Sequence, residues 1–283
     1  MEFQCPNLSS YLFKQESLRC LKPVLGEAAL ELNSQLGSIL IVADLHIGFE
    51  GNSTKSNKDP ILSQQVLVEL LTLVKRSLPE ILLICGDIKD EVIAPSSIIS
   101  AMLWHSFDEL MDYCEKIWII RGNHDGALEK YLPNEIRMLP GNDVLIQTQC
   151  GAIGFCHGHA SFSPRLTSAN TLIMGHSHPS IHLRDRFSKY ILRTWIRAHT
   201  SSFNAIPGQK IHFLAHDKNI SSKMKEIIVL PPFNQYLGGF PLNEGGFVPG
   251  FVAERLIQPE NATIYLLDGS LLGSVSFCTN LLL

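Results

Sequence analysis

Asp44 and His46, in the stretch ADLH, close an apolar run. Four more polar clusters follow apolar runs further on: Asp87 and Asp90 in GDIKD, Asn123, His124 and Asp125 in GNHD, His157 and His159 in HGH, and His176 and His178 in GHSH. Six of the eleven histidines lie in these short segments. Carboxylates, imidazoles and one amide oxygen are the donors that suit Mn²⁺, Fe or Zn²⁺ rather than a soft metal. Singly, each cluster has a bland explanation, such as Asp44 capping a helix or GHSH forming a turn. Gathered at one edge without a cation, they would leave too many polar groups to desolvate or satisfy. About seven good ligands exceed the needs of one ion and match two ions sharing a bridging carboxylate, an arrangement suited to in-line displacement at phosphorus.

Such a gathering needs a scaffold whose strands end together. The runs SILIVADLH, EILLICGDIKD, KIWIIRGNHD, AIGFCHGH and TLIMGHSH are short and β-branched, as strands buried on both faces are. Between the first three lie segments of helical spacing. Ile61, Leu62, Val66, Leu67, Leu70, Leu71 and Val74 share one face, and Ile98, Ile99, Met102, Leu103, Phe107, Leu110, Met111 and Cys114 share another. Strand–helix–strand–helix–strand predicts an α/β fold with a largely parallel core, whose strand ends collect ligands. DVLIQTQCGAIGFC predicts two strands around a Cys-Gly turn, and KIHFLAH, EIIVLP, ATIYLLDG and LGSVSF predict further strands with few helices between them. A mixed sheet, or two sheets face to face, follows. The Gly- and Pro-rich stretch from Phe240 to Gly250 sets off a C-terminal extension.

The 283 residues, 45% hydrophobic and 18% charged, can bury a full core in one large domain. A net charge of −4 argues against attraction of the whole chain to a polyanion without deciding the matter, so any such binding needs a local basic patch or bound metal. The seven cysteines are odd in number, scattered and never spaced CxxC, which argues against a disulfide framework and a zinc ribbon and makes most of them buried small hydrophobes. The N-terminus lacks the pattern of a signal peptide and no apolar run approaches a membrane span, so the expected location is the cytoplasm, away from membranes.

The ordered set DLH, GDIKD, GNHD, HGH and GHSH resembles the calcineurin-like metallophosphoesterase superfamily. ADLHIGFE, GDIK and VLPPFNQYLGG are similar to its compact SbcD-related members in archaea and bacteria. The resemblance spans roughly residues 38 to 240, with the motifs within 38–180. It implies an α/β/β/α sandwich of two mixed sheets flanked by helices. Residues 1–240 would form the metallophosphoesterase domain, with 241–283 packed on it as a C-terminal extension. It further implies two divalent ions, Mn²⁺ first with Fe or Zn²⁺ as alternatives. Asp44, His46 and His178 would hold one ion and Asn123, His157 and His176 the other, with Asp87 between them. Hydroxide shared by the ions would attack phosphorus in line at a site of about +1 net charge. His124 would approach the scissile phosphate as general acid or as a positive hydrogen-bond donor, with Asp125 orienting its imidazole, and Asp90 would order the loop.

The phosphate ester is less legible. Arg184, Arg186, Lys189, Arg193 and Arg197 alternate with Phe187, Tyr190 and Trp195; as a helix, the last four cations share a face suited to a nucleic-acid backbone and unstacked bases. Arg193 and Arg197 are candidate substrate contacts, weighed against a solvated surface element, and His159 is another, weighed against packing beside His157. His182, His199, His212 and His216 are taken as structural. Three readings stand: a phosphodiesterase or nuclease acting on nucleic acid or a nucleotide, a phosphomonoesterase or small-nucleotide hydrolase, and a non-catalytic scaffold of the same fold, as in a retromer subunit. Association with a DNA-repair helicase and formation of a homo-oligomer are expectations from the resemblance alone.

Overall fold

The computed structural model describes residues 20–52, 59–184, 187–199, 223–245, 248–250 and 252–279. Strands β1 (Leu21–Pro23), β2 (Leu30–Ser34), β3 (Gly37–Val42), β4 (Ile81–Ile84), β5 (Lys116–Ile120) and β6 (Arg137–Leu139) form one sheet in that order. The first two pairings are antiparallel, and β3 through β6 run parallel. The crossovers from β3 to β4 and from β4 to β5 are helices α1 (Ile61–Ser77) and α2 (Ser97–Leu110). Ser96 starts α2 by accepting a hydrogen bond from the Ile99 N–H at 3.3 Å. Leu78 ends α1 in the left-handed region, ahead of Pro79.

The second sheet comprises β7 (Val144–Thr148), β8 (Gly151–Cys156), β9 (Thr171–Met174), β12 (Glu226–Val229), β11 (Lys189–His199), β10 (Pro179–Arg184) and β13 (Phe240–Pro241) in spatial order. β14 (Ala262–Leu266) pairs with β11, and β15 (Leu271–Ser274) pairs with β14. The hairpin expected around the Cys-Gly turn is β7–β8, with Thr148 opposite Gly151. KIHFLAH lies outside the described residues.

Strand periodicity sorts the apolar runs into three layers. Leu40, Val42, Leu82, Ile84, Ile117 and Ile119 face α1 and α2, meeting Val66, Leu70, Val74, Leu103 and Phe107. Ile39, Ile41, Ile81, Leu83 and Ile120 point the other way, against Ile153, Phe155, Ile173, Trp195 and Ile228 of the second sheet. The outer face of that sheet, with Leu172, Met174, Ile196, Ile227 and Val229, is covered by Leu242, Val252, Ala253, Ile257, Val275 and Cys278. The runs are continuously apolar because both faces of each strand are buried. Ile61 and Ile98, expected on the apolar helix faces, are 65% and 57% exposed, since each lies in the first turn of its helix.

Two expectations are corrected here. Cys20 and Cys150 form a disulfide, with Cα atoms 6.2 Å apart across a sequence separation of 130. Cys20 precedes β1 and Cys150 sits in the β7–β8 turn, so the bond joins segments from the two sheets, a juxtaposition that spacing along the chain cannot reveal. Cys85, Cys114, Cys156 and Cys278 are buried free thiols. The second correction concerns the basic segment, which is a strand from Lys189 on, not a helix. Tyr190, Ile191, Thr194, Trp195 and Ile196 favour extended backbone, and β10, β12 and β14 supply the hydrogen-bonding edges.

Candidate metal centre

β3, β4 and β5 in one sheet, and β8, β9 and β12 in the other, are parallel sets whose carboxyl ends meet at a common edge. The loops leaving them are stitched by backbone hydrogen bonds. The Asp44 N–H donates to the Gly86 carbonyl at 3.0 Å, the His46 N–H to that of Asp87 at 2.9 Å, and the Gly175 N–H to that of His157 at 3.1 Å. Across the two sheets, the His176 N–H lies 3.0–3.1 Å from both carboxylate oxygens of Asp44. The five motifs therefore form one constellation.

Asp44, His46, Asp87, His176 and His178 all adopt positive φ, between 42° and 69°. Non-glycine residues seldom do so, and the cost is tolerated where surrounding structure over-determines it. Gly86 has φ +88°, and a Cβ there would run into the His157 ring; a Cβ on Gly122 would run into the Asp87 carboxylate. Both glycines let backbone approach the ligands closely.

Hydrogen bonds fix which ring nitrogens face inward. His46 Nδ1 lies 2.9 Å from Asp90 Oδ1, so it carries the proton and Nε2 presents its lone pair. That Nε2 is 3.2 Å from His178 Nε2, which is 3.4 Å from Asp44 Oδ1. His157 Nδ1 donates to the Cys85 carbonyl at 2.8 Å, turning Nε2 toward Asp87 Oδ2 at 3.1 Å and Asn123 Oδ1 at 3.2 Å. Asp87 Oδ2 is also 3.5 Å from His46 Nε2, so one carboxylate oxygen stands between the two imidazole groups. The ligand atoms of Asp44, His46 and His178 lie within 4.8 Å of one another, and so do those of Asp87, His157 and His176. Lone pairs converging on two points from N and O donors fit two divalent cations. His46, Asp90 and His124 are equally close together, but hydrogen bonds through Asp90 already join both rings.

Protonation follows the same geometry. Burial and the neighbouring His157 charge lower the His176 pKa to about 4, so its imidazole is neutral near pH 7. Burial raises the Asp44 pKa, but the His178 and His157 charges outweigh it and leave the carboxyl below its ordinary value. Asp87 is likewise lowered, burial being overcome by His157 and His46. Burial pushes the Cys156 thiol up to about 12 and raises Cys85 well above the ordinary thiol range, so neither offers a thiolate. Burial disfavours the charged form of His157, yet the Asp87 hydrogen bond and the Asp87 and Asp44 charges raise it from 6.5 to about 9.

The His157 shift gives a stability prediction. The folded imidazole keeps a proton that the unfolded one sheds near 6.5, so this contribution is complete below 6.5 and lost as pH rises through about 9. Chelator-stripped protein is expected to fall in Tm across that window, and a divalent ion replacing the proton on Nε2 is expected to flatten the profile. A level Tm in stripped protein would contradict the coupling.

Other expected site residues fall as follows. His124 is partly buried, with its N–H donating to Asp87 Oδ1 at 2.9 Å and its Nδ1 against the Asp90 carbonyl. Asp125 does not orient that imidazole; its carboxylate accepts the N–H groups of Asp87, Ile88 and Gly122, each at 2.8 Å, because three loop donors converge on it. His159 packs its ring 5.3 Å from that of His157, with Nδ1 buried and lacking a hydrogen-bond partner among the described residues. Arg193 and Arg197 are not surface contacts. Arg193 donates to the Pro232 and Phe233 carbonyls, and Arg197 is buried in an ion pair with Glu226, because strand alternation turns both inward alongside Trp195. Arg186 lies outside the described residues. Asn234, unassigned by sequence although quoted within VLPPFNQYLGG, is fully buried and donates to the Leu45 carbonyl at 2.9 Å, buttressing the first loop.

A model of the calcineurin-like phosphoesterase family matches residues 37–241. The chain belongs to that family. It is a metal-dependent phosphoesterase of mixed α/β architecture, and its family uses divalent metal ions. No curated protein matches the sequence. Among solved structures, this phosphoesterase is similar to Pseudomonas putida nuclease MPE, at 17% identity over 88% of this chain and 97% of that one, with a TM-score of 0.47. It is also similar to an archaeal phosphodiesterase, at 16% identity over 54% and 81% of the two chains (TM-score 0.32). Vacuolar protein sorting 29 from Cryptosporidium parvum matches at 19% identity over 54% and 71% (TM-score 0.28). The family assignment rests on the family model. No helix among the described residues is long and apolar enough to cross a membrane.

Proposed function

We propose that this phosphoesterase cleaves phosphodiesters of nucleic acid or nucleotides at a two-metal centre. Asp44, His46 and His178 would hold one ion and Asn123, His157 and His176 the other, with the Asp87 carboxylate placed to serve both groups. When bound, the ions supply Lewis acidity and a nucleophile at neutral pH. The remaining work falls to side chains of this chain. Asp90 holds the His46 ring and the Cys85 carbonyl holds that of His157, fixing the tautomers that ligation needs. The Asp90 carbonyl at Nδ1 of His124 can only accept, so Nδ1 keeps its proton. In the imidazolium, Nε2 then carries the proton that passes to the departing oxygen.

The observation that carries the diester reading is the β10–β11 hairpin. β10 starts one residue after His178, and among the described residues Lys189 to Arg193 of β11 pair only with β10, running about 16 Å past the strand ends at the metal edge. Lys189 is exposed, Phe187 and Tyr190 are 94% and 56% exposed, and Arg184 is ion-paired with Glu244 at 3.1 Å. An arm bearing a cation and two aromatic rings beside the site suits a chain that continues on one side of the scissile phosphate.

The test compares Mn²⁺-dependent hydrolysis of bis(p-nitrophenyl) phosphate and p-nitrophenyl phosphate, then of single-stranded DNA and RNA. Diester preference is expected. Lys189→Glu combined with Tyr190→Ala should weaken single-strand binding by roughly 10-fold or more, with bis(p-nitrophenyl) phosphate turnover unchanged. Monoester preference would replace this reading with a phosphomonoesterase, and metal binding without turnover of either ester would favour a scaffold.

A further inference from the structure

Lys89, the fourth residue of GDIKD, belongs to none of the groups assigned above. Its side chain is fully buried and its ammonium folds back into the loops. An ammonium has three N–H donors, and Lys89 Nζ meets three backbone carbonyls: those of Glu91, Val92 (3.1 Å) and His124. Among the described residues, these three carbonyls take up the ammonium's three N–H donors and leave none for a metal-facing side chain. A buried ammonium matched by carbonyls alone links two loops that share no strand pairing: the one carrying Asp87 and the one carrying His124.

Every one of these bonds leads to His124. The carbonyl of His124 is gripped directly. The Asp90 carbonyl, which meets the His124 ring, lies between Lys89 and the gripped carbonyls of Glu91 and Val92. The third hold on His124 is its own N–H to Asp87 Oδ1. We propose that Lys89 is a positioning residue that aims the His124 imidazole at the leaving-group oxygen. This rests on the acid role given to His124 above.

The experiment sets Lys89→Met and His124→Ala, singly and together, on a dinucleoside phosphate with an alkoxide leaving group and on bis(p-nitrophenyl) phosphate, whose leaving group scarcely needs a proton. In metal-loaded protein, Lys89→Met is expected to cost roughly 10- to 100-fold on the dinucleotide and about 3-fold or less on the nitrophenyl ester, and to add little once His124 is gone. Lys89→Arg, which keeps the charge on a longer planar group, should shift the same ratio less, and it remains informative if Lys89→Met does not fold. Equal losses on the two esters, or losses that multiply in the double variant, would overturn the positioning role. Should His124→Ala itself show no leaving-group dependence, the acid reading fails, while non-additivity of the pair still tests the tie. If the wild type hydrolyses neither ester, amide hydrogen exchange decides. Faster exchange at His124 in Lys89→Met, with β4 unchanged, supports the tie, and unchanged exchange at His124 overturns it.

Discussion

Asp87→Asn is expected to reduce phosphodiester hydrolysis by at least ~10³-fold and to leave the protein with one tightly bound divalent ion in place of two. The substitution keeps the shape of a side chain that is 1% exposed, so folding should survive. It removes one of the two inward carboxylates, the other being Asp44. It also places an amide where Oδ2 stands 3.5 Å from His46 Nε2 and 3.1 Å from His157 Nε2. An amide offers a single oxygen and no charge, so it cannot serve both groups while still accepting the His124 N–H. Metal-ion stabilisation is worth several kcal/mol, and ~1.4 kcal/mol is tenfold in rate, hence the size of the loss. Titration calorimetry with Mn²⁺ reads the stoichiometry and bis(p-nitrophenyl) phosphate reads the rate. A variant that binds two ions and keeps more than about a tenth of its activity would remove Asp87 from the centre of the site.

His124→Ala should separate substrates that Asp87→Asn does not. Loss of a general acid costs roughly 10²- to 10⁴-fold where the leaving group is an alkoxide, and far less for nitrophenolate. Metal affinity should change little, because the His124 ring is held at Nδ1 by the Asp90 carbonyl and lies edge-on to His46, with centroids 4.9 Å apart, outside the two inward-facing ligand groups. The measurement is kcat/KM on a dinucleoside phosphate and on the nitrophenyl diester under saturating Mn²⁺. Parallel losses on both would mean that His124 orients the phosphate and does not protonate the leaving oxygen.

Much of this was legible in the chain itself. Asp44, Asp87, Asn123, His157 and His176 each follow an apolar strand run, because a polar side chain that must leave a doubly buried sheet has to stand beyond the strand end. Residue type narrowed the donors to nitrogen and oxygen, and hydrophobic spacing supplied α1, α2 and the parallel strands between them. The family was legible too, since five ordered motifs carry it.

Other features depended on atoms far apart in sequence meeting in space. The positive φ values of five site residues express strain imposed from outside each loop. Asp125 was read through its neighbour His124, but its lone pairs are taken up by the N–H groups of Asp87, Ile88 and Gly122, two of them from a loop 37 and 38 residues away. Arg193 and Arg197 read as a cationic surface because a helix and a strand both bring residues four apart to one side; only the partner strands decided that the side faces inward. Cys20 and Cys150 pair across 130 residues, and Lys89 stands among Asp87, Asp90 and Glu91 in the sequence, but the groups that surround its ammonium are three backbone carbonyls. Local pattern thus determined which residues stand at the strand ends and what they can bind. Tertiary structure alone decided which of them share hydrogen bonds, because a carboxylate, guanidinium or ammonium takes its role from the partners that folding places within reach.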